Sequence, residues 1–441
     1  MTETPVARLV STLAVPTIIS MLVSSLYNMA DTYFVSRLGT SAAGAVGVVF
    51  SVMAIIQAVG FTIGMGGGVI MSRQLGAKEN EAAVQSASTA FFFSLALGII
   101  LAVIGITFNE KLMRLLGATP TIAPYAEAYA RYIFLGCPFM CASFVMNNLL
   151  RSEGKAAFAM VGITVGGVLN IFLDPVFIFL LGLGTAGAAI ATSVSQVISF
   201  VILLSFFLCG KSSVSIRLSA VSRKVRLYVS IIKMGLPSLS RQGLASIATV
   251  ALNVSAAAFG DAAVAAMSIT NRIVFFIFSA LLGFGQGFQP VCSFNWGAGR
   301  YDRVYRAARF TCITGIVITA VLCSACFIAA SDLMRAFVSD DNNVIILGSL
   351  ALRAQCLALP LSGLNVATNM SLQGTGQYGK ATFLALCRQG IFFIPLVLAL
   401  PPVIGVAGVL YAQSISDVLT FFVSMFFFAG FLRKVRSLQK N

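Results

Sequence analysis

The chain has 441 residues, of which 58% are hydrophobic and only 10% charged, with a formal net charge of +15 and no histidine. A soluble domain carries roughly 25% charged residues, so this composition excludes a water-soluble enzyme or binding module and points into the membrane. The missing imidazole removes His-ligated metal sites, Ser–His catalysis and the commonest proton shuttle, so any proton chemistry must use carboxylates.

Apolar stretches of about 20 or more residues, each able to cross a hydrocarbon core of about 30 Å, follow one another along the chain. In the first half they lie near 12–36, 46–71, 84–108, 123–149, 156–181 and 186–208. The first contains Pro16 and Asp31, with Tyr27 and Asn28 four and three residues before the acid on the same helical face. The fifth contains Asp174, four residues after Asn170, and the sixth carries Thr192 and Gln196. A carboxylate inside a span is costly and by default has a task, facing a cavity or another helix. Carboxylate, amide and hydroxyl oxygens gathered from neighbouring helices suit a proton or a small hard cation.

A polar, basic stretch, Lys211–Tyr228, separates the halves. Beyond it, spans are expected near 230–258, 263–291, 307–330, 344–371, 381–401 and 404–431. Arg241 and Arg272 fall inside the first two of these, as structural partners or substrate gates, and Asp417 falls in the last. The expected domains are a six-helix lobe over 1–209, a linker over 210–228 and a second six-helix lobe over 229–441.

The two halves repeat. Pro16, Gly39, Gly64, Gly66, Gly76-Ala77 and Gly187 return 221 residues later as Pro237, Gly260, Gly285, Gly287, Gly297-Ala298 and Gly408. Gly154 returns as Gly376, and Asp417 takes the place that Gln196 has in the first half. Six spans per half is an even number, so the repeats run parallel about an axis along the membrane normal, the plan of a transporter with a cavity between its halves.

Most of the 29 Lys and Arg residues fall on the side of the termini and even-numbered connections, among them Arg73, Arg151, Arg217, Arg300, Lys380, Arg388 and Arg433. Basic connections stay cytoplasmic, so both termini and the linker are expected inside a bacterial cytoplasmic membrane. The first span starts close to Met1 and is read as retained rather than cleaved. Charge scattered over short connections argues for membrane lipids, and against nucleic acid, as the partner.

Two motifs fail on context. Gly182-Leu183-Gly184-Thr185-Ala186-Gly187 matches a dinucleotide fingerprint, but no strand precedes it. Cys323-Ser324-Ala325-Cys326 has redox or zinc spacing but sits in an apolar span without a second pair. No catalytic residue, metal site or cofactor is expected beyond a coupling ion, H+ or Na+.

Several segments together resemble the multidrug and toxic compound extrusion (MATE) transporters, most of all their bacterial MepA-like branch. They are Pro16, Tyr27-Asn28-x-x-Asp31, Arg37-Leu38-Gly39, Ser72-Arg73-Gln74-Leu75-Gly76-Ala77, Leu169-Asn170-x-x-x-Asp174-Pro175, and Gly285-Gln286-Gly287-Phe288-Gln289-Pro290 followed by Asn295-Trp296-Gly297-Ala298. The resemblance implies a two-lobed, twelve-helix exporter, not an enzyme, that exchanges protons or sodium for bulky amphipathic, often cationic compounds. It maps a cation site onto Asp31, Asn170, Asp174 and Thr192, and a bending point of the first helix onto Pro16. A monomer in contact with lipid is expected. Some relatives carry acids in the second lobe, where this chain has only Asp417. A lipid-linked precursor flippase of the same superfamily is the alternative, since it would line its cavity with cations such as Arg241 and Arg272.

Overall fold

The computed structural model describes residues 1–338 and 341–440, and among these every regular element is helical. The spanning helices are α1 (Val6–Ser36), α2 (Thr40–Gly76), α3 (Asn80–Thr107), α4 (Ala123–Ser152), α5 (Ala156–Leu180) and α6 (Gly184–Leu208), then α7 (Val225–Ala257), α8 (Asp261–Gly297), α9 (Tyr301–Ile328), α10 (Asn342–Gly374), α11 (Tyr378–Ile404) and α12 (Val406–Lys440). Among the described residues, eleven helices are long and apolar enough to cross a bilayer. The twelfth, α7, is long enough, but Arg226, Lys233 and Arg241 dilute its apolarity. Short helices at Asn109–Leu115 and Ala330–Phe337 follow α3 and α9. The protein is an all-α integral membrane protein of twelve spanning helices, six in each half.

The repeat is carried into three dimensions. Helices α2 and α8 start and stop 221 residues apart, as do α3 and α9. Gly39 and Gly260 have φ 118° and 92°, and Gly154 and Gly376 have 91° and 86°, so the same turns recur. Asn147 Nδ2 donates to the Ala159 carbonyl at 2.8 Å, fastening α4 to α5, and Asn369 does the same to Ala381 at 2.7 Å between α10 and α11. In each half the fourth spanning helix is the innermost. The central window of α4 is 78% buried and that of α10 is 56%, while Phe172, Leu180, Val254 and Phe426 turn outward where lipid would lie.

The compact units do not follow the division at 209 and 229 read from the sequence. One comprises Ile19–Leu239, the other Met1–Ile18 with Ser240–Asn441. Close crossings account for this. Within the first unit, a Cβ on Gly66 of α2 would lie 1.9 Å from the Ile231 carbonyl oxygen of α7, and one on Gly235 would lie 1.9 Å from the Thr62 carbonyl oxygen. Within the other, a Cβ on Gly287 of α8 would lie 2.4 Å from the Ala14 Cα of α1. The opening segment of each half's first helix therefore packs on the second helix of the opposite half, backbone against backbone.

Lys211–Tyr228 is docked rather than free. Glu153 Oε2 accepts from Ser213 N at 2.7 Å and Ser212 Oγ at 3.1 Å, Lys155 Nζ donates to the Lys211 carbonyl, and Arg217 N and Ser222 N donate to Ser88 and Thr89 of α3. Burial pushes the Glu153 carboxyl up from its ordinary range. Five residues named above as basic connections, Arg73, Arg151, Lys380, Arg388 and Arg433, belong to helices; of these Arg151 is 5% exposed at the end of α4, and Arg388 lies well inside α11. Both helices extend past the point where their charge first appears.

The crossing makes Gly66 sensitive and leaves a helical control. Gly66→Ala should cost at least about 1–3 kcal/mol, because backbone rather than a flexible side chain must give way. Gly47→Ala, with no atom within 4 Å of its Cβ, should be neutral or stabilising by up to about 1 kcal/mol. Melting in detergent micelles checks both. Equal melting temperatures for the two variants would contradict the crossing.

Candidate functional site

Asp31, Asn170, Asp174 and Thr192, the residues onto which the resemblance mapped a cation site, lie near one another inside the first unit. Asp31 is 8% exposed, Asn170 and Thr192 2% each, and Asp174 is fully buried. Asn170 sits four residues before Asp174 on α5, and its amide donates to Asp174 Oδ1 at 3.1 Å and Thr192 Oγ1 at 3.2 Å. Pro175 then removes a helical N–H, and the chain opens into a π-helical turn over Val176–Leu180. Such turns relax the regular ladder and concentrate at functional positions.

The residue that stands near both acids is Tyr129 of α4. It is fully buried, and its hydroxyl donates to Asp31 Oδ2 at 3.2 Å. It also lies close enough to Thr192 and to both carboxylates to feel them electrostatically. Hydrogen bonds therefore join Asp174 through Asn170 to Thr192, and Asp31 to Tyr129, with Tyr129 standing between the two sets. Sequence reading missed Tyr129; the available signal was a phenol inside an apolar span, whose hydroxyl must find a partner when buried.

These bonds leave acceptors over. Asp31 Oδ1, Asp174 Oδ2 and Asn170 Oδ1 are buried with no hydrogen-bond partner, and among the described residues neither carboxylate pairs with Lys or Arg. Buried charges are normally paired or bind a cation, because an unpaired one is expensive. Three unmatched oxygens on three neighbouring side chains form an arrangement that can take a proton or a small hard cation.

The supporting residues divide. Tyr27 lines a cavity in the same unit with Gln57, Arg151 and Gln196, and it feels the charge of Asp31. Asn28 does not join Asp31; its amide donates to the Ser24 carbonyl of its own helix at 2.8 Å. Pro16 lies within α1, in the part that belongs to the other unit.

Asp417 is arranged differently. Arg388 Nε donates to its Oδ1 at 2.7 Å and Nη2 to its Oδ2 at 3.3 Å, and Gln413 adds a bond to Oδ1 at 3.0 Å. The pair is buried, with side chains 13% and 2% exposed. Arg388 is placed by a π-helical turn over Cys387–Phe393, and its carbonyl accepts from Ser416 Oγ. Both oxygens of Asp417 are occupied, so this acid is a counter-ion. Arg241 lines a pocket beside Arg388, while Arg272 is exposed and does not line that pocket.

The MatE family model matches twice, over residues 16–176 and 237–399, each match opening on one of the repeated prolines. The multidrug export protein MepA of Staphylococcus haemolyticus is 28% identical over 425 residues, covering 96% of this chain and 93% of its own. Two solved structures, a MATE in the straight conformation and a MATE in the bent conformation, superpose with TM-scores of 0.92 and 0.90. Each is 27% identical; the first covers 100% of this chain and 98% of its own, and the second 99% of each.

Removing one buried negative charge should stabilise the unit while spoiling the site. Asp174→Asn keeps the shape and the acceptor toward Asn170. In sodium-free buffer at pH 9 it should melt a few degrees higher than the unmodified protein. A lower melting temperature would mean that Asp174 is a structural hydrogen-bond anchor and nothing more.

Proposed function

The chain belongs to the MatE family, and from that premise we propose that it is a secondary active antiporter. In this reading it exchanges protons for amphipathic, often cationic organic compounds across a bacterial cytoplasmic membrane. The observation that carries the reading is the pair of buried carboxylates, Asp31 and Asp174, gathered with Tyr129, Asn170 and Thr192 and lacking a cationic partner among the described residues. The naming of similar proteins as multidrug exporters supports the substrate class.

The physics of coupling follows from burial. A carboxylate withdrawn from water holds a proton more readily, so the site loads where protons are abundant and unloads where they are scarce. Tyr129 gives the proton a path between the acids, since its hydroxyl can donate to one neighbour while accepting from another. One charge moved through 100 mV yields about 2.3 kcal/mol. Turning a two-state protein from 1:99 to 99:1 takes about 5.5 kcal/mol of differential binding. Voltage acting on a single proton falls short, so the pH gradient and the substrate's preference between states supply the remainder.

Sodium is the second reading, and the three unpartnered oxygens favour it, because a hard cation needs a cage of oxygens rather than one acceptor. Asp417 contributes to neither reading, with its oxygens already engaged by Arg388 and Gln413.

Export of ethidium from sealed proteoliposomes should follow an imposed pH gradient in sodium-free buffer. It should vanish in Asp31→Asn and in Asp174→Asn at unchanged insertion. Uphill export driven by sodium alone, at equal pH and clamped voltage, would reject the proton; full export by either variant would remove that acid from the mechanism. The basic connections support a topology with both termini and the linker inside. A cysteine replacing Ser213, in a background without the native cysteines, should resist an impermeant reagent added outside intact cells, and prompt labelling would overturn that topology.

A further inference from the structure

A pocket in the second unit has the opposite electrostatic character to the Asp31–Asp174 site. Arg241, Phe278, Asn369, Met370, Arg388 and Gln389 are on its wall. A guanidinium keeps its proton in proteins, so two fixed positive charges face this space. Among the described residues the carboxylate that pairs with this wall is Asp417, and it is spent on Arg388, which holds both of its oxygens. Arg241 has no ion pair or hydrogen bond among the described residues, and it stands close enough to Arg388 for the two charges to repel. The pocket therefore carries one uncompensated positive charge among spanning helices, where a lone charge is expensive and by default functional.

The rest of the wall narrows the ligand. Phe278 and Met370 offer an apolar, polarisable surface, and the Arg388 guanidinium lies 4.2 Å from the Phe278 ring centre, fixing that ring beside the charge. Asn369 Oδ1 and Gln389 Oε1 are buried acceptors with no donor. An occupant that satisfies all of these has an anionic group for Arg241, an aromatic or otherwise flat apolar body, and an N–H or O–H for the amide oxygens.

We propose that this pocket binds the carboxylate of amphipathic aromatic acids at Arg241, so that the compounds handled include acids and zwitterions as well as cations. That these are transported rests on the exporter reading; that they bind does not. An Arg–carboxylate contact is charge-assisted and admits two parallel hydrogen bonds, whereas a neutral amide of the same shape can make only the weaker kind. The pocket should therefore discriminate on charge rather than on shape.

The experiment uses full-length protein in phosphatidylcholine nanodiscs and two probes of one shape, 7-methoxycoumarin-3-carboxylate and its carboxamide, read by fluorescence anisotropy against empty discs. The carboxylate should bind at least about tenfold more tightly than the carboxamide, the scale of one charge-assisted contact. Arg241→Gln should erase the preference and Arg241→Lys should restore part of it. Equal binding of the two probes, or a preference that survives Arg241→Gln, overturns the proposal. The first comparison needs no variant, so a misfolded Arg241→Gln does not shield it. Loss of the preference in phosphatidylglycerol discs would assign the pocket to lipid phosphate and overturn it as well. Ethidium export separates the two readings. Failure there with the carboxylate preference intact removes the exporter and leaves the site, and the reverse outcome removes only the site.

Discussion

Two carboxylates buried without a cationic partner govern the organisation of the first unit. Asp31 and Asp174 come from α1 and α5, and neither acid has both of its oxygens satisfied. Asp31 takes its donor from Tyr129 on α4 and Asp174 from Asn170 on its own α5, while Asn170 also donates to Thr192 on α6. Hydrogen bonds thereby tie α1 to α4 and α5 to α6 and still leave three oxygens unmatched. A half-satisfied buried network is worse for stability than an apolar core. Under the proposed exporter reading, this is the place where stability yields to function.

The second unit inherits the frame and reverses the charge. Thr192 and Gln196 correspond to Gln413 and Asp417 at the 221-residue interval. The acid has moved to the last helix, and Arg388 on the helix before it meets it with Nε and Nη2. What remains unbalanced there is Arg241, a positive charge. Duplication preserved the features set by backbone geometry: the left-handed glycine turns, the Asn-to-carbonyl clasps and the glycine crossings. It did not preserve the charged side chains in the interior, where Asp31 and Asp174 stand in one half and Arg241, Arg388 and Asp417 in the other.

The spans, the repeat and the presence of acids inside spans were legible because each rests on a local rule, whereas the grouping of Asp31 with Asn170, Asp174 and Thr192 came from the resemblance. Apolar length, glycine recurrence and the cost of a charge in a span can all be read from a single window of sequence. Tyr129 was not legible, since nothing in its own helix says which of several tyrosines will meet an acid placed nearly a hundred positions earlier. Arg388 was misjudged for a related reason. A basic residue near a span boundary looks like a connection until the partner that justifies burying it, Asp417, is seen across the helix pair. Asn28 fell on the expected face but found a nearer acceptor in the Ser24 carbonyl, because a short amide in a helix competes readily for local backbone groups.

The compact units also part from the linear halves, and here the prolines and glycines act together. The unit boundaries fall just after Pro16 and just after Pro237. Each proline lacks the N–H that would tie it to the turn before, so the helix is weakest there. Gly66 and Gly235 meanwhile press the opening segment of α7 onto α2, and Gly287 accepts the opening segment of α1. A contact of backbone on backbone cannot be loosened by turning a side chain, so those segments are held closely to their hosts. Each proline leaves one helical N–H absent where α1 and α7 pass from the packed segment to the rest of the helix. On α1 that turn lies between a segment packed on glycine and the stretch that carries Asp31.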